Sequence, residues 1–223
     1  MMNEELELAK KIYFEYKDSC SDFIKQAKEK SVYQKYGFGG ELLHRGYFCP
    51  SLVQDLILGN ANRGRILNNP STKISTKPYT YKFGFDAKNK LTYIENDMYF
   101  EFINYKSQLE IGVQVDKTME INTLSICSYN GKQLGDYVFC LCNPFDDSIL
   151  QITKEQYTYN EDELLVDMFL WCSKVKQHSQ IVFSVENGYL TSYTVRELDE
   201  NDRLIGYSEG YRYKVAHKRK LAI

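Results

Sequence analysis

Three times in the chain a tyrosine-rich or β-branched run breaks at a short polar turn and resumes with leucine and then tyrosine. The first runs from Tyr79 through Tyr81, Phe83 and Phe85 to Asp86 and Asn89, then Leu91 and Tyr93. The second runs from Leu124 through Ile126 and Tyr129 to Asn130 and Gly131, then Leu134 and Tyr137. The third runs from Tyr193 and Val195 to Leu198, Asp199, Asn201 and Asp202, then Leu204 and Tyr207. Alternating side chains give a strand one buried face, and Asp, Asn and Gly supply the backbone that a tight reversal requires, so each segment predicts a β-hairpin. Two further alternating runs, at 98–105 and 109–115, and the pair 181–185 and 189–195 around Asn187-Gly188, extend the series, which Tyr211, Tyr213 and Val215 close.

The N-terminal part follows the other period. Leu6, Leu8, Ala9, Ile12, Tyr13, Tyr16, Phe23, Ile24 and Ala27 recur at helical spacing, which predicts one long amphipathic helix or two that break near Ser19-Cys20-Ser21. A joint at Gly37-Phe38-Gly39-Gly40 follows, and Pro50 near a helix start with Gly59 at its end predicts a second short helix from Cys49. The turn formers of 68–78 mark a boundary. The segment 164–172 suits either period; its Tyr157, Tyr159 and Leu164 repeat the hairpin pattern and favour a strand. The fold class is therefore α+β: a helical region over 1–70 packed on a long antiparallel β-meander over 71–223, an open sheet or half-barrel, forming one cooperative domain.

With 28 basic against 30 acidic residues the chain has no global field to hold nucleic acid or an anionic membrane, and neither is expected as a partner. The acidic start and the lack of a long apolar run predict a cytoplasmic protein. The six cysteines lack the dense spacing of a disulfide scaffold and are expected to be reduced and packed. Cys140 and Cys142, with Cys127 on the partner strand, are a conceivable thiolate set for zinc, but no Cys-x-x-Cys turn is present and no metal or cofactor is expected. Cys49 beside Pro50, with His44 five residues away, is the one thiol placed like a nucleophile beside a base.

A sheet covered by helices on one face leaves the other open, and tyrosine is a favoured contact residue. The expected binding residues are Tyr79, Tyr81, Tyr93, Tyr193 and Tyr207, with Asp199 and Asp202 of the last turn adding negative charge. The stretch His44-Arg45-Gly46-Tyr47-Phe48-Cys49-Pro50-Ser51 through Asn62 to Leu67, followed by Tyr81 to Asp86 and Lys90-Leu91, resembles uncharacterised β-rich proteins of low-GC Gram-positive bacteria, and through them immunity proteins of polymorphic toxin systems. The resemblance implies a non-enzymatic protein that binds another protein, such as a cognate toxin, and it transfers no functional residues. Two alternatives stay open: a thiol-dependent hydrolase using Cys49 and His44, and a small-ligand carrier with a tyrosine-lined cavity.

Overall fold

The computed structural model describes residues 2–40, 43–54, 64–67, 80–172, 175–187, 189–199 and 201–210. Two helices come first, α1 (Met2–Tyr16) and α2 (Cys20–Lys30), joined by a single 3-10 turn at Lys17–Ser19 where the sequence predicts the break. They are followed by β1 (Tyr33–Phe38) and β2 (Arg65–Leu67), both inside the stretch read from sequence as helical. Gly37 lies within β1, with the Phe83 ring over it, so the expected glycine joint is a strand at that point. The helix expected from Cys49 begins at Leu52, and its remainder lies outside the described residues, as do the boundary at 68–78, Tyr79 and the final run at 211–215.

From β3 (Thr80–Phe85) onward the chain goes back and forth without a crossover. It continues through β4 (Leu91–Glu95), β5 (Tyr99–Lys106), β6 (Leu109–Asp116), β7 (Ile121–Asn130), β8 (Gln133–Asn143), β9 (Ser148–Tyr159), β10 (Glu163–Cys172), β11 (Val175–Glu186), β12 (Tyr189–Leu198) and β13 (Leu204–Gly210). Among the described residues this gives one open antiparallel sheet of 13 strands, in which β1 sits between β3 and β2 and the edges β13 and β2 stay apart. The segment 164–172 is strand, paired with β9 and β11 along its length.

Three of the turns share one construction. Asp86, Asp116 and Asp199 each accept two backbone N–H groups through Oδ1, from the residues two and four positions on. The residue three positions on, Asn89, Met119 or Asp202, takes a positive φ of 62°, 69° or 59°. A short carboxylate that satisfies the turn's own donors stabilises this geometry, which is why these aspartates stand where they do.

Both faces of the middle of the sheet are covered. On one, α1 and α2 lay Ala9, Ile12, Tyr13, Tyr16 and Ala27 against Phe102, Val113, Leu124, Cys140 and Ile152. Phe23 stacks on Phe102 at 4.6 Å from Tyr16. On the other face the segment 43–54 crosses the strands, with Phe48 packed on Phe83 and Phe85, and Leu52 and Val53 on Tyr137, Tyr157 and Val166. The expectation of a sheet open on one whole face is therefore corrected for its central strands. Strands buried on both faces carry apolar residues at successive positions, and β4 (Leu91, Thr92, Tyr93 and Ile94 all buried) reads that way.

Candidate binding surfaces

The segment 43–54 brings its polar side chains onto the sheet rather than into water. Arg45 is 1% exposed and stands in the left-handed region at φ 63°. A non-glycine residue there is strained by about 1–3 kcal/mol and persists only where its surroundings dictate it. The surroundings are three acceptors from neighbouring strands. Its Nε donates to Glu101 Oε1 at 2.8 Å, its Nη2 to Ser125 Oγ at 2.8 Å, and its Nη1 to Glu110. Burial would lower the Arg45 pKa, and the charges of Glu101 and Glu110 outweigh it, so the guanidinium stays charged. Burial likewise pushes Glu101 up, and His44 and Arg45 reverse this to hold it at about 2.

Room for the guanidinium comes from Gly112 on β6, opposite Ile103 and beside Ser125. A Cβ there would meet Glu101 Oε1 at 2.1 Å, Arg45 Nη2 at 2.4 Å and Ser125 Oγ at 2.5 Å. Gly112→Ala is expected to lower the unfolding free energy by about 1–3 kcal/mol through overpacking, read from the urea midpoint. An unchanged midpoint would contradict this account of the ion cluster.

Two further contacts pin the segment. Ser51 caps the turn at 52–54 by accepting the Gln54 N–H at 2.9 Å, and its hydroxyl lies 2.8 and 2.9 Å from the two Glu155 oxygens. Tyr157 donates to Glu155 and accepts the Leu52 N–H at 3.1 Å. Glu155 is 1% exposed, and burial raises it from 4.5 to about 7 against the opposing effect of its hydrogen bonds.

His44 and Cys49 do not form a nucleophile–base pair. The His44 ring meets the Tyr137 hydroxyl at Nδ1, 2.9 Å away, and its Nε2 faces Glu101 Oε2 at 3.2 Å without forming a hydrogen bond. The Cys49 thiol is buried and lies toward Ser51 O and Gln54 Oε1, at 3.6 and 3.7 Å. A general base must reach the proton it removes, and both ring nitrogens face elsewhere. Cys127 pairs with Tyr137 on the face of the 43–54 segment, whereas Cys140 pairs with Leu124 and packs with Cys142 beneath the helices, so these thiols cannot share one ion. Among the described residues no group of three or more His, Cys, Asp or Glu is placed to hold a metal, and none of the six cysteines is in a disulfide.

Of the tyrosines expected at a binding surface, Tyr81 and Tyr93 are in the core, at 3% and 1% exposure. Tyr81 is covered by the 43–54 side of the fold and Tyr93 by α2. Tyr193 is half-buried against Phe183. Tyr207 is 53% exposed. Asp199 works inside its own turn, and Asp202 lies 3.2 Å from His178 Nδ1. The acidic turns do not gather: hairpin alternation puts 146–147 and 199–202 at one end of the sheet and 161–163 at the other, and Asp147 is already paired with Lys17.

Among the described residues, what remains uncovered is the helix-side face of the last four strands. The main contacts of α1 and α2 reach from β3 to β9. Beyond them a cross-strand row runs Asp167, Gln180, Arg196, Tyr207, and a second runs Phe169, His178, Leu198, Leu204. His178 stacks on Phe169 at 4.3 Å between Asp167 and Asp202. No described helix is long and apolar enough to cross a membrane. Comparison with known protein families, with curated proteins and with solved structures found no match.

Proposed function

We propose that the chain is a non-enzymatic, cytoplasmic protein that binds another protein, in the manner of an immunity protein that neutralises a bacterial toxin. The observation that carries this reading is the uncovered wall of β10–β13. It presents Phe169, His178, Arg196 and Tyr207 in register on strands of up to 12 residues. Aromatic and arginine side chains dominate the energetics of protein interfaces, and rigid presentation lowers the ordering cost of docking. The His44 ring faces Tyr137 and Glu101 rather than the Cys49 thiol, which supports binding over hydrolysis. The acidic turns are spread over both sheet ends, so recognition rests on shape and on Arg196.

The test is titration calorimetry with the purified product of the neighbouring gene. Arg196→Glu and Tyr207→Ala are expected to weaken binding at least about tenfold each, with unchanged thermal melts. Absence of binding, or binding that both variants leave intact, overturns the proposal.

A further inference from the structure

A second concavity lies on the opposite face, where the 43–54 segment meets the hairpin ends. It has a volume of about 740 Å³, inside the range of roughly 300–1,000 Å³ typical of small-molecule sites. Four tyrosines, Tyr47, Tyr105, Tyr129 and Tyr159, line it, and Lys90 and Lys132 stand on its rim from two separate turns. The rings of Tyr47, Tyr105 and Tyr129 are 36–37% exposed, so faces are available for stacking. Their hydroxyls have other duties: Tyr105 donates to Leu91 O at 3.0 Å, and Tyr129 reaches Glu110 at 3.5 Å.

The charges select the ligand's sign. Glu110 on the floor shares the Arg45 guanidinium with Glu101, and Lys90 already lies 4.5 Å over the Tyr105 ring in the position a cationic ligand would need. Lys132 is exposed and makes no ion pair among the described residues. The cleft thus repels cations and offers two ammonium groups beside aromatic walls. The strained, buried Arg45 beneath it holds Tyr129, Glu110 and the 43–54 wall in fixed relation, which is the preorganisation a ligand site requires.

We propose that this cleft binds a small aromatic anion: a planar ring seated among the tyrosines, with a phosphate or carboxylate between Lys90 and Lys132. This is independent of the protein-binding wall, which lies on the other face. Stacking of a ring on an aromatic side chain and an ion pair at a partly desolvated rim each supply about a tenfold gain in affinity.

The experiment is calorimetric titration of the whole protein with adenosine 5′-monophosphate, guanosine 5′-monophosphate, 1-naphthyl phosphate and indole-3-acetate, beside adenosine and inorganic phosphate. At least one of the four aromatic anions is expected to bind at least about tenfold more tightly than adenosine or phosphate, and more weakly as salt rises. Lys132→Glu and Tyr47→Ala, both at exposed positions, are expected to weaken it about tenfold, whereas Lys176→Glu on β11 leaves it unchanged. No binding of any of the four at low millimolar concentration overturns the proposal. So does equal binding of phosphate or adenosine, or indifference to both cleft variants. Binding of an oligoadenylate more than about tenfold tighter than the mononucleotide would assign the cleft to a polynucleotide and also overturn it.

Discussion

Arg45→Ala is expected to lower the unfolding free energy by about 3–5 kcal/mol, the usual cost of removing one partner of a buried ion cluster. The variant leaves Glu101, fully buried, with His44 and the Ser125 hydroxyl, and Glu110 with the Tyr129 hydroxyl but no cation. The pH dependence separates this cause from simple loss of packing. In the native protein Glu101 is held at about 2, below the ordinary 4.5, so its contribution is present above about 4.5 and lost as pH falls through about 2. Without Arg45, burial acts on Glu101 against His44 and the Ser125 hydroxyl and moves its pKa upward, so the variant's deficit should shrink between pH 7.5 and pH 5. Urea unfolding at the two values reads this. A deficit that is equal at both, or below about 1 kcal/mol, would mean that the cluster does not behave as an ion network.

Glu155 should make the native protein less stable in mild alkali, with the opposite sign to ordinary acid denaturation. Its folded value of about 7 lies above the ordinary 4.5. The contribution is therefore fully present below about 4.5 and is lost as pH rises through about 7, an amount on the order of 3 kcal/mol. Glu155→Gln keeps an acceptor for Tyr157 and Ser51 and removes the charge. That variant is expected to match or exceed the native protein at pH 8 and to flatten its stability between pH 5 and pH 8. A Gln variant that is less stable than the native protein at pH 8 would show that the carboxylate is ionised and needed.

Arg45, Glu101 and Glu155 are residues whose partners sequence periodicity did not reveal. The hairpins were legible because their signals are local: Asp86 and Asp199 bond to N–H groups only two and four positions on, and Asn187 takes a φ of 53° beside Gly188. The helices were legible for the same reason, since Ala9, Tyr13, Tyr16 and Ala27 repeat on one face. The contacts of the 43–54 segment are of another kind. Arg45 and Glu101 are 56 residues apart, and Ser51 and Glu155 are 104. Glu101 between Phe100 and Phe102 looks like the wet side of a two-faced strand, and only the docking of Arg45 makes that side interior. Tyr81 misleads in the same way, because the cover that buries it comes from outside its own hairpin. A signal was nonetheless present: Glu101, Ser125 and Glu155 are polar residues on long strands, facing the side where Ile103, Cys127 and Tyr157 call for burial. Polar groups so placed require partners brought by another segment.

The order of strands from β3 to β13 has a kinetic meaning. Each strand from β4 to β13 bonds only to its neighbours in the chain, so each rung closes a short loop and costs little chain entropy. Seating the 43–54 segment closes loops of up to 105 residues and contributes only once the rungs beneath it exist. The ladder is therefore expected to assemble first and the 43–54 segment to be fastened afterwards. Arg45 and Glu155 act on the fastened state, so changes at either residue should speed unfolding while leaving the rate of folding nearly as it was.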